Sequence, residues 1–130
     1  MEFEEKHIVY FPDGIIGFEE CKKFLIVNDE NSEPFRWLVS LDDEEIGFPL
    51  LDPGLVREGY AEKYFPSQDV TVFAVVSIKP DVAQSTVNLR SPVVIDSASR
   101  IGGQIVLQDE TLNVRASFAL LAETITVNDP

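Results

Sequence analysis

This sequence contains one histidine and one cysteine, and both stand apart from any partner that would make them reactive. His7 begins an apolar run with no nucleophile motif near it, and a lone histidine in such a place is more often structural than catalytic. Cys21 lies beside Lys22 and Lys23, whose charges favour a thiolate, but the chain has no second cysteine to resolve an oxidised thiol. We therefore predict no catalytic residue, no metal ligand and no cofactor.

Two segments partly match known ligand-binding motifs, but their own residues argue against binding. The acidic run 29–33 resembles the first half of a calcium loop. However, Pro34 stands where that loop requires glycine, and Ser40 stands where it requires glutamate. Gly14-Ile15-Ile16-Gly17 matches the GxxG pattern of a loop that clamps nucleic acid, yet acidic residues flank it on both sides and would repel phosphate. We expect neither calcium binding nor direct nucleic-acid binding.

The charge of the chain favours a basic partner. The formal net charge is −13 over 130 residues. Residues 1–69 carry 17 acidic and 6 basic side chains, whereas residues 70–130 carry 6 acidic and 4 basic ones. Most of the negative charge therefore lies in the first half of the chain. Such a charge attracts basic proteins and repels nucleic acid; the alternative is that it serves solubility alone.

Length and composition indicate one domain over residues 1–130. Apolar residues make up 45% of the chain, which is enough for a core. No apolar run approaches the roughly 20 residues that cross a bilayer, and the acidic N-terminus does not resemble a signal peptide. The single cysteine fits a reducing compartment. We expect a cytoplasmic monomer without membrane contact.

Short runs of strand-forming residues between turn residues dominate the pattern, which is typical of an all-β barrel or sandwich. Val70–Ile78 is apolar on both faces and is predicted to be central. In Phe35–Leu41 the alternation predicts Trp37 in the core and Leu38 exposed on the opposite face. The other predicted strands are His7–Phe11, Phe24–Val27, Ile46–Leu51, Thr86–Arg90, Pro92–Asp96, Gln104–Gln108 and Leu112–Val114.

Helical patterns are few and short. Phe18–Lys23 and Leu55–Glu62 each suit one or two turns, and Phe118–Glu123 suits a C-terminal helix before a strand-like run at Thr124–Val127. Gly102-Gly103 suits a hairpin that needs a positive φ. We therefore predict the all-β class: a small barrel-like antiparallel domain with one or two short helical turns.

The densest acidic run, Asp42-Asp43-Glu44-Glu45, has two interpretations. Asp42 can cap a short helical turn, with Glu45 at the capping-box position. Alternatively, the run contacts lysine or arginine on a partner. The sequence leaves both open.

Four blocks of the sequence stand out together: Phe11–Glu19, Trp37–Asp43, Phe48–Pro53, and Thr86–Ile95 followed by Gln104–Leu107. In this order they resemble the FliW family of flagellar assembly factors, over about residues 8–112. The resemblance leaves residues 115–130 without an assigned role. Within the four blocks Pro12, Gly14 and Gly17 suit turns, and the amide of Asn88 suits capping of backbone groups.

The resemblance implies a barrel-like fold and no enzymatic activity. FliW-like proteins bind flagellin in the cytoplasm as chaperone-like partners. They also bind and antagonise CsrA, a dimeric RNA-binding protein that represses flagellin translation, and so couple flagellin synthesis to export. A rival interpretation is a small acidic barrel that binds a ligand or uses buried carboxylates for catalysis, which predicts a deep polar cavity. The candidate protein-binding residues, chosen by physical type, are Ile15, Ile16, Phe18 and Leu38 as apolar contacts and Asp42, Asp43, Glu44 and Glu45 as acidic contacts.

Overall fold

A computed structural model describes residues 4–66 and 69–117. Within these ranges the chain forms eight strands, one short α-helix and four 3-10 turns. The strands are β1 (Val9–Tyr10), β2 (Lys23–Asn28), β3 (Arg36–Ser40), β4 (Gly47–Leu51), β5 (Thr71–Ser77), β6 (Thr86–Asp96), β7 (Ile101–Gln104) and β8 (Ala116–Ser117), and the helix is α1 (Tyr60–Tyr64). The 3-10 turns are Glu5–His7, Glu30–Ser32, Pro53–Leu55 and Val82–Gln84.

The strands close into a barrel. The sheet order is β5-β4-β3-β2-β1-β7-β6, and β5 also pairs with β6, so seven strands complete the ring. The pairings are antiparallel except between β1 and β7, which are parallel and meet at the single pair Tyr10–Ile101. The short β8 pairs with β6 at Thr86 and Val87. The predicted all-β, barrel-like class is confirmed.

Two hydrophobic clusters hold this barrel together. One draws on every strand from β1 to β6, with Phe11, Phe24, Leu38 and Leu50 completely buried, and it fills the barrel interior. The other lies on the opposite side of β4, β5 and β6, where α1 covers it. Strand β5 contributes to both clusters and has a neighbour on each edge, as predicted for a central strand.

The prediction for β3 is wrong about which face is buried. Leu38 is completely buried in the barrel interior, whereas Trp37 is half-buried on the other face, opposite Val27 and Pro49 of the neighbouring strands. Both faces of β3 carry apolar side chains, so the alternation gives the period without saying which face turns inward. Leu38 is therefore no exposed contact residue.

The stretch predicted as two strands, Thr86–Arg90 and Pro92–Asp96, is one strand with a break in its pairing. Val75 of β5 pairs with Asn88, but Phe73 pairs with Val93, so the register shifts in between. The side-chain oxygen of Asn88 accepts hydrogen bonds from the backbone N–H groups of Arg90 and Ser91, at 3.1 and 3.0 Å. The predicted capping role of Asn88 is confirmed, and it acts at the break.

The predicted helix over Phe18–Lys23 does not form. Phe18 bridges back to Ile15, and Lys23 already begins β2. In the second predicted helix, Leu55–Glu62, the α-helix begins only at Tyr60.

Near the β6–β7 hairpin two details differ from the prediction. The positive φ belongs to Arg100, at 58°, and not to the glycine pair. The strand occupies Ile101–Gln104 rather than Gln104–Gln108.

Towards the end of the described chain, Leu112–Val114 forms no strand, and β8 begins at Ala116. The predicted elements at Phe118–Glu123 and Thr124–Val127 lie outside the described residues. Within residues 4–66 and 69–117, no helix has the length and apolarity required to cross a membrane.

Candidate functional site

The turn formed by residues 12–18, the 12–18 turn, sorts its apolar side chains between the core and the surface. Gly14 and Gly17 adopt positive φ angles of 66° and 89°. The N–H of Phe18 donates to the carbonyl oxygen of Ile15 at 2.6 Å, which closes the turn. Ile15 is 3% exposed, whereas Ile16 and Phe18 are 58% and 40% exposed. Ile15 therefore belongs to the barrel interior and is no contact residue, while Ile16 and Phe18 remain candidates.

Phe18 is anchored to the core by aromatic contacts. Its ring centroid lies 5.1 Å from that of Phe48 in an edge-on arrangement. Phe48 in turn lies 6.4 Å from Phe24, and Phe24 lies 5.0 Å from Phe11. Edge-to-face aromatic pairs are favourable in this distance range. The exposed ring of Phe18 is thereby held in one position before any partner binds. A partner that contacts this ring therefore loses less conformational entropy on binding.

An open cleft of about 550 Å³ lies beside this ring and has acidic walls. We call it the acidic cleft; its lining residues are Gly17, Phe18, Glu19, Glu20, Cys21, Asp42, Asp43 and Ile46. It brings together the 12–18 turn and the acidic run 42–45, two of the regions singled out in the sequence. The pairing of Phe24 with Ser40 between β2 and β3 places these segments side by side.

The acidic run itself divides into residues with different roles. Asp42 Oδ2 accepts hydrogen bonds from the backbone N–H groups of Lys22 and Lys23, at 2.7 and 3.0 Å. These two bonds, the one from Lys23 first, lower the pKa of Asp42 below its ordinary value. Asp42 therefore fastens the start of β2 to the end of β3, and substituting it would alter the structure as well as the charge.

The predicted cap is also wrong in detail. Ser40 Oγ accepts hydrogen bonds from the N–H groups of Asp42 and Asp43, both at 3.1 Å, and Asp43 Oδ1 accepts one from Glu45 at 3.0 Å. The turn is thus capped by Ser40 and Asp43. Asp43 lines the acidic cleft, whereas Glu44 and Glu45 are exposed outside its lining.

Gln104 joins the 12–18 turn to the barrel wall, a role that the sequence did not reveal. Its Oε1 accepts a hydrogen bond from the N–H of Ile16 at 3.0 Å, and its Nε2 donates to the carbonyl oxygen of Ser91 at 3.0 Å. The first and fourth sequence blocks therefore meet at this side chain. Immediately after it, Ile105 and Val106 are 42% and 51% exposed. The available signal was a glutamine within an otherwise apolar block, directly after two glycines.

The described residues offer little to the rival interpretation of an enzyme or small-ligand barrel. Their buried polar side chains are the serines Ser40, Ser85 and Ser91, without a buried carboxylate among them. In residues 4–66 and 69–117, no group of three or more potential metal ligands comes together. Asp109 has a pKa held far below its ordinary value, but hydrogen bonds from Thr111 and Tyr64 explain this shift. Side chains fill the barrel interior, and the acidic cleft is open to solvent.

Comparison with known proteins agrees with this architecture. The family model described as "FliW protein" matches residues 1–118. The flagellar assembly factor FliW of Caldicellulosiruptor bescii is 38% identical over 126 residues, which cover 88% of this chain and 82% of the relative. The protein of the same name from Thermotoga maritima is 34% identical, covering 96% and 89%.

A solved structure, the crystal structure of the flagellar assembly factor FliW, is also similar. It superimposes with a TM-score of 0.79 at 28% identity, and the match covers 90% of this chain and 89% of that one. Sequence and fold agree over most of both molecules, so this chain belongs to the FliW family of flagellar assembly factors.

Proposed function

We propose that this protein binds flagellin in the cytoplasm as a chaperone-like partner and antagonises CsrA by binding it, without catalysing a reaction. While flagellin is abundant, it occupies the protein. When flagellin is exported, the released protein sequesters CsrA, and flagellin translation resumes. The family membership and the partners implied by the sequence resemblance support this proposal.

The acidic cleft is the observation that carries the proposal. Its lining combines the large apolar side chains of Phe18 and Ile46, which we call the floor, with four carboxylates, those of Glu19, Glu20, Asp42 and Asp43. An amphipathic segment can lay its apolar face on such a floor while basic side chains meet the walls. Because Phe18 is fixed by its contact with Phe48, the floor is preorganised.

Electrostatics favour a basic protein over RNA as the ligand. With a net charge of −13, the molecule attracts the basic surface by which CsrA holds RNA and repels the RNA itself. This charge accelerates the encounter more than it strengthens the final complex. We therefore expect the affinity for CsrA to fall as salt is raised.

The test measures binding of purified CsrA and flagellin by calorimetry at low and physiological salt. Asp43→Lys reverses a charge inside the acidic cleft and also removes the hydrogen bond from the Glu45 N–H, so thermal unfolding checks that this variant is folded. Glu44→Lys makes the same change in net charge outside the cleft. We expect Asp43→Lys to weaken CsrA binding by at least about tenfold, since like charges across an interface cost several kcal/mol, and Glu44→Lys to change it by less than about threefold.

A second pair of variants tests the apolar floor. Phe18→Ala removes an exposed ring from the acidic cleft, and Ile78→Ala removes a side chain of similar exposure, 43%, just after the end of β5. Only Phe18→Ala should weaken flagellin binding. Failure of the unaltered protein to bind either partner at micromolar concentration and low salt would refute the proposed function. Equal effects of both lysine variants would place the CsrA contact elsewhere.

A further inference from the structure

Beyond the end of β7 at Gln104 the chain stays hydrogen-bonded to β6, although it forms no regular strand. The N–H of Ile105 donates to the carbonyl oxygen of Pro92 at 3.0 Å, and the N–H of Leu107 donates to the carbonyl oxygen of Arg90 at 2.8 Å. In an antiparallel pair the main-chain groups of alternate residues point to opposite sides. Those of Gln104 and Val106 therefore point away from β6.

On that outer side the barrel wall has a gap. Strand β1 would be the neighbour, but it ends at Tyr10, whose pairing partner is Ile101. Beyond this point the 12–18 turn approaches the segment, and it is joined there through the side chain of Gln104. Within the described ranges, the N–H of Val106 meets no backbone acceptor. We call residues 104–107 the open edge.

The open edge lacks the features by which proteins usually protect an unpaired strand. Such edges typically carry lysine, proline or a bulge that prevents pairing with another chain. Here Ile105 and Val106 are instead exposed and apolar, and the exposed Ile16 lies on the turn that is hydrogen-bonded to the Gln104 side chain. An edge with free main-chain groups and apolar side chains is suited to the addition of a strand.

Charge determines which kind of strand the open edge can accept. Asp109 and Glu110 follow it after Gln108, and Asp109 stays ionised because hydrogen bonds hold its pKa low. A second copy of the molecule would bring another net charge of −13 against the first, which opposes self-pairing. A segment with basic residues beside its apolar ones is attracted to the same place.

We propose that the open edge binds an extended segment of a basic protein partner, which adds to the barrel wall as a strand beside residues 104–107. Main-chain hydrogen bonds from Gln104 and Val106 supply part of the affinity, and apolar side chains of the segment contact Val106 and Ile16. This inference rests on the proposed function, because it assigns to the basic partner named there a second contact surface besides the acidic cleft.

Amide hydrogen exchange of the unaltered protein, measured by NMR with and without CsrA or flagellin, tests the inference. The Val106 amide should become protected by at least about tenfold in the CsrA complex. The Ile105 amide, already bonded to Pro92, should change little and serves as the internal control. A CsrA complex in which Val106 stays unprotected would overturn the inference. So would protection that appears only with flagellin, or on raising the protein concentration without a partner.

Two variants at one position separate the main-chain contribution from the side chain. Val106→Pro removes the outward N–H but no bond to β6, and Val106→Thr keeps that N–H with a side chain of similar shape. We expect Val106→Pro to weaken CsrA binding by at least about tenfold and Val106→Thr by less than about threefold. Thermal unfolding checks that each variant is folded. If Val106→Pro does not fold, the hydrogen exchange of the Val106 amide in the unaltered protein tests the inference alone.

These outcomes distinguish the two proposals. If the unaltered protein binds CsrA and Val106→Pro binds it equally well, the strand addition is wrong and the proposed function stands. If the unaltered protein binds neither CsrA nor flagellin, both are wrong.

Discussion

Replacing Gly14 by alanine should destabilise the protein more than the same change at Gly17, although both glycines have positive φ. The left-handed conformation costs alanine about 1–2 kcal/mol at either position. At Gly17 an added Cβ meets no atom within 4 Å. At Gly14 it would lie 2.5 Å from Glu19 Cα and 2.7 Å from the carbonyl oxygen of Phe18, and these backbone atoms cannot move away as a flexible side chain would.

The steric contribution at Gly14 therefore adds about 1–3 kcal/mol, the usual range for forcing an extra methyl group into a packed site. We expect Gly14→Ala to lower the free energy of unfolding by about 2–5 kcal/mol and Gly17→Ala by about 1–2 kcal/mol. Domains of this kind have about 5–15 kcal/mol in total, so both variants should fold.

Urea denaturation followed by the fluorescence of Trp37, the single tryptophan, measures the difference. With a slope of about 2 kcal/mol per molar urea, a gap of about 2 kcal/mol separates the two midpoints by about 1 M. Equal midpoints for the two variants would refute the steric argument. A lower midpoint for Gly17→Ala would refute the geometry assigned to the turn.

Three other positions give independent tests. Asp42→Ala should lower the free energy of unfolding by about 1–2 kcal/mol near neutral pH, because two exposed hydrogen bonds are lost, whereas Glu44→Ala should stay within about 0.5 kcal/mol in the same urea assay. Because the folded-state pKa of Asp42 lies below its ordinary 3.8, its contribution is present above that pH and is lost as the pH falls through the folded value; a difference from the unaltered protein that persists in strong acid would contradict this. Asn88→Ala should cost about 1–3 kcal/mol by calorimetry, since two backbone N–H groups at the break in β6 lose their acceptor, and an unchanged melting temperature would exclude the role assigned to it. Tyr60→Phe should remove a buried hydrogen bond to the Leu89 carbonyl, at about 1–2 kcal/mol. Burial raises the pKa of Tyr60 to about 12, so the stabilisation should hold below about pH 10 and disappear as the pH rises towards 12, and a phenol titration of the unaltered protein without such a late tyrosine would refute it.

The sequence pattern predicted most of the strands because turn residues mark where they end. β2 and β4 each lie within one residue of their predicted bounds, and β5 is one residue shorter at each end. The split predicted at Ser91 also had a physical basis, since the pairing of β6 with β5 shifts on either side of it.

Local sequence patterns could not predict which face of β3 is buried, nor that Phe18–Lys23 forms no helix. On β3 both faces are apolar, and barrel closure decides that Leu38 turns inward while Trp37 stays half-buried outside. For Phe18–Lys23, the positive φ of Gly17 and the pairing of Lys23 in β2 override a composition that favours a helix. Such tertiary constraints routinely outweigh helix propensity.

The sequence predicted which residue types form the candidate site, but not that they lie close together in the fold. An exposed Phe18 and an acidic Asp43 were expected, but their proximity depends on the register between β2 and β3, which no local pattern specifies. The open edge depends on the register between β1 and β7, fixed at the pair Tyr10–Ile101, which no local pattern specifies.

The single pair Tyr10–Ile101, where β1 meets β7, has a consequence for how the chain folds. Those two residues are far apart along the chain, so bringing them together costs much loop-closure entropy. The contact that forms in exchange is one parallel residue pair. The antiparallel neighbours β2, β3 and β4 follow one another in sequence and can assemble early. Ring closure should therefore come after the rate-limiting step, and weakening it should accelerate unfolding while the refolding rate stays the same; a stopped-flow chevron of Ile101→Ala with a slowed refolding arm would show the reverse order.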